Sequence, residues 1–329
     1  MDSKCLHIMT SPVCNNHCLF CNDGFRDNPD PSAYAPENIK GIIRSYRGRL
    51  SRLNFTSGEP TLNPELPAFI KTARDNGFTK IGVTTNGRML SYPGYPLDLL
   101  KSGANEIIIS IHGPEPGVHD ALTRSKGSFE QTAGGIANLS RLKRSYKFNF
   151  LAAVTLNRQN LPYLEDLIEF LMPAGPDEII VNVMQPLQGR KKKISKRLLP
   201  RYSDVAKVAG AYFHKRKDFF IGKQNRLRKK WFCIIDLPLC TATMLKDTIG
   251  YGETRIIENA SGHDSGAPGK TGEGRPGSNT RIFADNRELK IKGKNCRACI
   301  FDDRCNGIYK QYIEFYGWDE FQPVLSGAF

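Results

Sequence analysis

Three cysteines fall within eight residues near the start of the chain, in Cys14-Asn-Asn-His-Cys18-Leu-Phe-Cys21. Soft thiolates at this spacing suit an iron–sulfur cluster or zinc. A closed tetrahedral zinc site needs a fourth protein ligand, and His17 is the nearby candidate. A cluster held by three cysteines instead keeps one iron open to a small molecule, which makes it a reaction centre. At the other end, Cys296-Arg-Ala-Cys299-Ile-Phe-Asp-Asp-Arg-Cys305 spells CxxCxxxxxC. With Cys240 it supplies four thiolates, enough to close a coordination sphere; Cys233 is a rival for the fourth place, and a structural zinc knot is the alternative to a cluster.

Two turns could serve a ligand near the first cysteines. In Ser57-Gly58-Glu59-Pro60 a Gly-containing turn lets backbone carbonyls approach an ammonium, and the carboxylate adds a charged acceptor. A strand-to-helix turn punctuated by proline is the plain alternative. Ser110-Ile-His112-Gly113 brings a hydroxyl and an imidazole. His112 would bind substrate, shuttle a proton, or simply hydrogen-bond to backbone.

At these residues the sequence resembles the radical S-adenosylmethionine (SAM) enzymes. The resemblance implies that Cys14, Cys18 and Cys21 hold a [4Fe-4S] cluster whose open iron is chelated by the amino and carboxylate groups of SAM. Ser57-Gly58-Glu59-Pro60 is similar to the family's GGEP motif, with serine in place of the first glycine, and would hold the amino group. Asn86, in Thr85-Asn-Gly87, joins the implied cofactor contacts, and Ser110 matches a residue that contacts the ribose or carboxylate. Phe20 is implied to lie close to adenine. The family's GxIxGxxE pattern is replaced by Val154-Thr-Leu-Asn157, which leaves Asn157 and Asn182 as polar candidates. The C-terminal cysteines resemble SPASM and shorter Twitch extensions. Tyr309 stands where the full pattern has a further cysteine, so one auxiliary [4Fe-4S] cluster is expected, on Cys240, Cys296, Cys299 and Cys305.

The implied activity is reductive cleavage of SAM to a 5′-deoxyadenosyl radical that abstracts hydrogen from a substrate. With such an extension the expected substrate is a ribosomally made peptide. RNA or a small anionic metabolite is the alternative, as is a non-catalytic zinc or iron–sulfur protein that binds nucleic acid. A reductant such as a flavodoxin or ferredoxin is an implied partner.

The elements that must position these residues can be read from periodicity. At 329 residues with 40% hydrophobic and 24% charged composition, the chain buries a sizeable core. Short apolar runs alternate with amphipathic stretches, which argues for βα units and a parallel sheet. Strands are expected at residues 4–9, 53–56, 81–85, 106–111, 148–155 and 178–183, and helices at 36–44, 64–75, 96–100, 129–143 and 161–171. The expected fold class is therefore α/β: a partial (β/α)6 TIM-like barrel with a small C-terminal Fe–S (Twitch-like) extension. Ligands of such sheets bind at the C-terminal ends of strands, where the polar signatures fall.

Residues 1–186 are expected to form the barrel core, 187–232 a basic helical segment, and 233–329 the extension, with a Gly-rich loop at 259–279. Between Arg190 and Lys230, 16 Lys and Arg stand against Asp204 and Asp218, so one segment accounts for the net charge of +14. Interleaved with Tyr202, Tyr212 and Trp231, these bases suit an anionic partner such as an acidic peptide or RNA, or the solvated face of a packed helix. No apolar run approaches a membrane span of roughly 20 residues, so no membrane partner is expected. Nine cysteines clustered at the two ends, with none between 21 and 233, look like metal sites in a reducing compartment, and a cytoplasmic location is expected.

Overall fold

The computed structural model describes residues 5–21, 34–187, 192–216, 231–245, 249–250, 255–258, 280–283, 289–303 and 305–326. The Gly-rich stretch 259–279 and the basic runs 190–191 and 217–230 lie outside the described residues. The fold class is α/β, parallel strands alternating with helices in an open sheet of the partial-barrel kind. Each expected strand forms: β1 (Leu6–Ile8), β2 (Arg52–Phe55), β3 (Lys80–Thr85), β4 (Glu106–Ser110), β5 (Asn149–Leu156) and β6 (Glu178–Val183). The helices are α1 (Pro36–Ser45), α2 (Leu66–Asp75), α3 (Tyr95–Ser102), α4 (Pro116–Thr123), α5 (Ser128–Leu142) and α6 (Leu164–Leu171). The second begins at Leu66 rather than at residue 64 because Asn63 first makes a turn, its side-chain oxygen accepting from Glu65 N at 2.9 Å.

Helix α4 and strand β7 are among the elements that periodicity did not show. Helix α4 is short and follows a Pro-rich loop. Strand β7 (Phe232–Ile235) pairs parallel with β6, Ile180 opposite Cys233. Its run Phe232-Cys-Ile-Ile235 has no alternation, because a strand covered on both faces is apolar throughout.

The chain divides into two compact units. The first comprises Met1–Ser110, Thr123–Leu151 and Glu253–Ala284. Its strand order is β10-β9-β1-β2-β3-β4, where β9 is Arg255–Glu258 and β10 is Thr280–Phe283. Leu6 pairs in parallel with both Leu53 and Ile256. Leu6, Ile8, Phe55, Val83 and Ile109 are fully buried, and Ile39, Ile43, Phe69, Ile70 and Leu139 cover them from helices α1, α2 and α5.

The second unit comprises Ile111–Leu122, Ala152–Gly252 and Asp285–Phe329. It contains the end of β5, then β6, β7 and β8 (Ile249–Gly250), with helices α7 (Lys192–Leu198), α8 (Tyr202–Lys215) and α9 (Lys310–Tyr316). In α8, Tyr202, Val205, Ala209 and Tyr212 recur at helical spacing and are buried. Its basic residues pair with acids of the same unit: Lys215 with Glu165 at 2.7 Å, Arg216 with Glu169 at 2.7 Å. Burying one such apolar side chain is worth about 1.5–3 kcal/mol, against about 0.2–1 kcal/mol for an exposed ion pair. Packing therefore decides where α8 lies, and the charges line its solvated face.

Candidate active site

The loop that follows β1 in the first unit is held against the turns after β2 and β3. Beyond the β2 ladder, Thr56 N donates to Ile8 O at 2.9 Å. The chain then reverses through Ser57 and Gly58, whose φ angles are 66° and 56°. A Cβ on Gly58 would lie 2.1 Å from Ser11 O and 2.9 Å from Val13 O, so glycine alone lets the cysteine loop pass. Glu59 N completes the clamp by donating to Val13 O at 2.8 Å.

The Glu59 side chain turns inward and is 1% exposed. Its carboxylate accepts from Thr61 N at 3.0 Å, Thr85 Oγ1 at 2.6 Å and Asn86 N at 2.7 Å, and from the Thr61 hydroxyl. Burial raises its pKa above the usual carboxylate value, against the pull of these donors. Glu59 thus ties β2 to β3. Its carboxylate is therefore turned away from solvent, and the backbone carbonyls of Glu59 and Pro60 accept from Leu62 N at 3.1 Å and Asn63 N at 3.0 Å.

The turn after β3 is built from side-chain hydrogen bonds. Thr85 Oγ1 accepts from Gly87 N at 3.0 Å, Asn86 Oδ1 accepts from Arg88 N at 3.0 Å, and Thr132 of α5 donates to Asn86 O at 2.8 Å. Gly87 has a φ of 79°. Asn86 Nδ2 donates to Asn15 Oδ1 at 2.6 Å and lies 3.9 Å from Cys14 Sγ. Arg88 Nη1 donates to Asn16 Oδ1 at 3.0 Å and to Asn15 O, while its Nε donates to Gln131 Oε1 at 2.6 Å. Ser125 Oγ donates to Asn15 O at 3.3 Å, and His17 N donates to Thr123 O at 2.8 Å. Each of the three residues between Cys14 and Cys18 is therefore anchored. Cys14, Cys18, Cys21 and Phe20 are half-buried. Asn15, Asn16, Arg88, Gln131 and Thr132 were not singled out from the sequence; Arg88, directly after Thr85-Asn-Gly87, gave the one available signal.

Ser110 ends β4 half-buried. In the second unit Asn157 is fully buried, its Oδ1 accepting from Gln159 N at 2.9 Å and its N–H donating to Asn160 Oδ1 at 2.7 Å, so it shapes the turn after β5. Asn182 lies in β6, half-buried, opposite Ile235. His112 is buried with its Nδ1 accepting from Thr155 N at 3.2 Å and its carbonyl accepting from Asn160 Nδ2 at 2.9 Å. Burial, then the neighbouring His119, holds its pKa well below the usual histidine value. These bonds make it a brace of the loop.

Cys240, Cys296, Cys299 and Cys305 line one cavity of about 470 Å³, together with Phe301, Trp318 and Phe321. Burial, then the thiols of Cys305, Cys299 and Cys296, pushes the Cys240 thiol up to about 12. Cys233 is buried in β7 and does not line this cavity. The cysteine segment is fastened at its base by the two-residue ladder β11 (Lys290–Ile291) with β12 (Ile308–Tyr309). Gly307, at φ 85°, is required there, since a Cβ would lie 2.4 Å from Ile291 O. Among the described residues, no three His, Cys, Asp or Glu side chains are drawn together tightly enough to hold a single metal ion. None of the nine cysteines is in a disulfide.

Residues 8–171 match the radical SAM superfamily. The chain belongs to that superfamily. A curated relative named "Probable GTP 3′,8-cyclase" from Sulfurisphaera tokodaii is 27% identical over 184 residues, 55% of this chain and 56% of the relative. A second, "AdoMet-dependent heme synthase" from Nitratidesulfovibrio vulgaris, is 27% identical over 163 residues, 49% of this chain and 43% of its own length. The chain spans about half the length of these relatives. Streptococcus suis SuiB, solved bound to precursor peptide SuiA, superposes with a TM-score of 0.65 at 12% identity, covering 97% of this chain and 74% of SuiB. That likeness establishes the partial-barrel fold. The relatives carry the names of enzymes. The superfamily implies a [4Fe-4S] cluster and SAM. Among the described residues, no helix is long and apolar enough to cross a membrane.

Proposed function

We propose that this radical SAM enzyme modifies a ribosomally made peptide, with its cluster on Cys14, Cys18 and Cys21. The supporting observation is a fold shared with SuiB over 97% of the chain. The donor set at the first loop fits the group: three half-buried thiols on one anchored stretch of backbone, beside a turn that Gly58 lets pack directly against it. When bound, cluster and SAM would supply an electron and a 5′-deoxyadenosyl radical that takes hydrogen from the substrate.

The protein's own residues then hold and orient. Ser57, Gly58 and Pro60 offer backbone acceptors to the SAM ammonium, and Glu59 keeps that turn locked to β3. Asn86 sets its amide beside the Cys14 sulfur. Phe20 and Ser110 are assigned to the nucleoside part of SAM. Cys240, Cys296, Cys299 and Cys305 would hold an auxiliary [4Fe-4S] cluster, their shared cavity favouring Cys240 over Cys233 as fourth ligand. Residues 1–186, 187–232 and 233–329 serve as core, basic segment and extension. The basic segment would meet an acidic leader peptide, and a flavodoxin- or ferredoxin-like protein in the cytoplasm would deliver the electron.

A second reading, a nucleotide or other small anionic substrate, draws on the cyclase-named relative and on the net charge of +14. The two separate in one experiment. Anaerobically reconstituted enzyme, SAM and dithionite are incubated with the small-peptide pool or the nucleotide pool of cells grown on deuterated medium. Deuterium entering 5′-deoxyadenosine from the peptide pool is expected. Transfer from the nucleotide pool alone replaces the peptide reading with the second, and release of no 5′-deoxyadenosine from any mixture removes both.

A further inference from the structure

We propose that Arg88 is a positioning residue for the cysteine loop: it keeps the Cys14-to-Cys18 spacer in shape and sets a fixed positive charge beside the metal group the loop receives. The inference rests on the reading that these cysteines hold a cluster, and adds a residue that the superfamily's cysteine and GGEP-like signatures do not contain.

A guanidinium presents five N–H donors in a rigid planar fork, so it can grip several acceptors at once. Here the fork spans three residues: Nη1 donates to Asn16 Oδ1 at 3.0 Å and to Asn15 O, and Nε donates to Gln131 Oε1 at 2.6 Å. Two of these acceptors lie inside the spacer and the third on α5, so Arg88 rivets the loop to a helix. Arg88 itself cannot drift. Its backbone N–H is bound to Asn86 Oδ1, its carbonyl accepts from Ser91 Oγ at 2.7 Å, and it begins the short helical turn Met89–Ser91. Other ties on the spacer are individually weaker or reach other atoms: Ser125 Oγ to Asn15 O is 3.3 Å, and Asn86 holds only the Asn15 side chain.

Arg88 also brings a charge. All three acceptors are neutral, and among the described residues no carboxylate pairs with Arg88. Three thiolates and an added electron make a reduced cluster strongly negative, and an unneutralised cation nearby favours that state over the oxidised one. Lysine would keep the charge but could not fork across the three acceptors, which allows shape and charge to be tested apart.

The experiment compares the full-length wild type with Arg88→Met and Arg88→Lys. In metal-free protein, hydrogen exchange at the Asn16 and His17 amides is expected to accelerate about tenfold or more in Arg88→Met and by less in Arg88→Lys, with thermal unfolding close to wild type. In reconstituted protein, a redox titration follows the electron-paramagnetic-resonance signal that responds to SAM. Arg88→Met is expected to shift its reduction about tenfold toward the oxidised form, equivalent to ~59 mV for one electron, while Arg88→Lys stays within about threefold. Loss of iron uptake in Arg88→Met with retention in Arg88→Lys supports the proposal equally. Wild-type exchange and a wild-type midpoint in Arg88→Met overturn it. Should even the wild type take up no iron on this loop, the function reading fails, whereas the exchange comparison in metal-free protein still decides whether Arg88 holds the spacer.

Discussion

The two cysteine sites are assembled differently. At the first, every residue between Cys14 and Cys18 is bonded to the turn after β3, to the last residue of α4 or to the loop before α5, so polypeptide alone sets the shape. At the second, four thiols line a cavity of about 470 Å³ whose walls are mostly apolar; besides short-range bonds such as Cys299 N to Cys296 O at 3.0 Å, the segment is tied to the C-terminal tail by Ile300 N to Val324 O at 2.9 Å and Val324 N to Cys299 Sγ at 3.4 Å. A site of the first kind is preorganised for chemistry. One of the second kind gains its order when metal binds, because ligand binding and local folding are then one equilibrium.

The largest expected effect breaks the first site. Cys18→Ala should lower 5′-deoxyadenosine release at least a hundredfold while iron at the C-terminal cysteines is retained; unchanged release would remove the cluster from this loop. Next, Cys299→Ala should lose about four iron atoms, one cluster's worth, and expose residues 289–326 to protease. Chelation should do the same there and leave the 14–21 loop protected, and zinc in place of iron would replace the auxiliary cluster by a structural knot.

Smaller effects sharpen the contrast by loosening the first site's frame. Glu59→Gln should cost about 1–3 kcal/mol, since the new amide opposes a donor of Thr61, Thr85 or Asn86. The sign with pH follows from burial, which raises the Glu59 pKa and so favours the neutral carboxyl in the fold. Its stabilising contribution is full below the ordinary carboxylate value of 4.5 and is lost as pH rises through the raised value. Urea unfolding should therefore show the gap between wild type and Glu59→Gln narrowing as pH rises above 4.5. The smallest effect is Ser57→Gly. Relief of a φ of 66° is worth roughly 1–2 kcal/mol, offset by about 0.5–1 kcal/mol of glycine entropy. A rise in melting temperature of a few degrees or less is expected; a fall would mean that the Ser57 side chain contributes more than its backbone strain costs.

Much of the fold was legible because the strands and helices are amphipathic at their own periods. Strand β7 was not, as Cys233 sits in an unbroken apolar run that reads equally well as core or as a ligand's surroundings. The basic segment illustrates a different limit. Its helical spacing at Tyr202, Val205 and Tyr212 was visible, but whether its charges meet a partner or the unit's own acids depends on Glu165 and Glu169, which lie far along the chain.

Sequence by itself determined the donor chemistry: thiols at Cys14, Cys18 and Cys21, a Gly-containing turn at Ser57-Gly58, a second cysteine cluster, and the alternation that makes a parallel sheet. These are local, carried by residue type and spacing. Tertiary structure alone decided that Glu59 faces inward, that Cys240 rather than Cys233 joins the C-terminal thiols, and that Arg88 grips a loop more than 70 positions away. Such choices depend on which strand ends lie side by side, and hydrogen bonds across a sheet leave no periodicity in the chain that makes them.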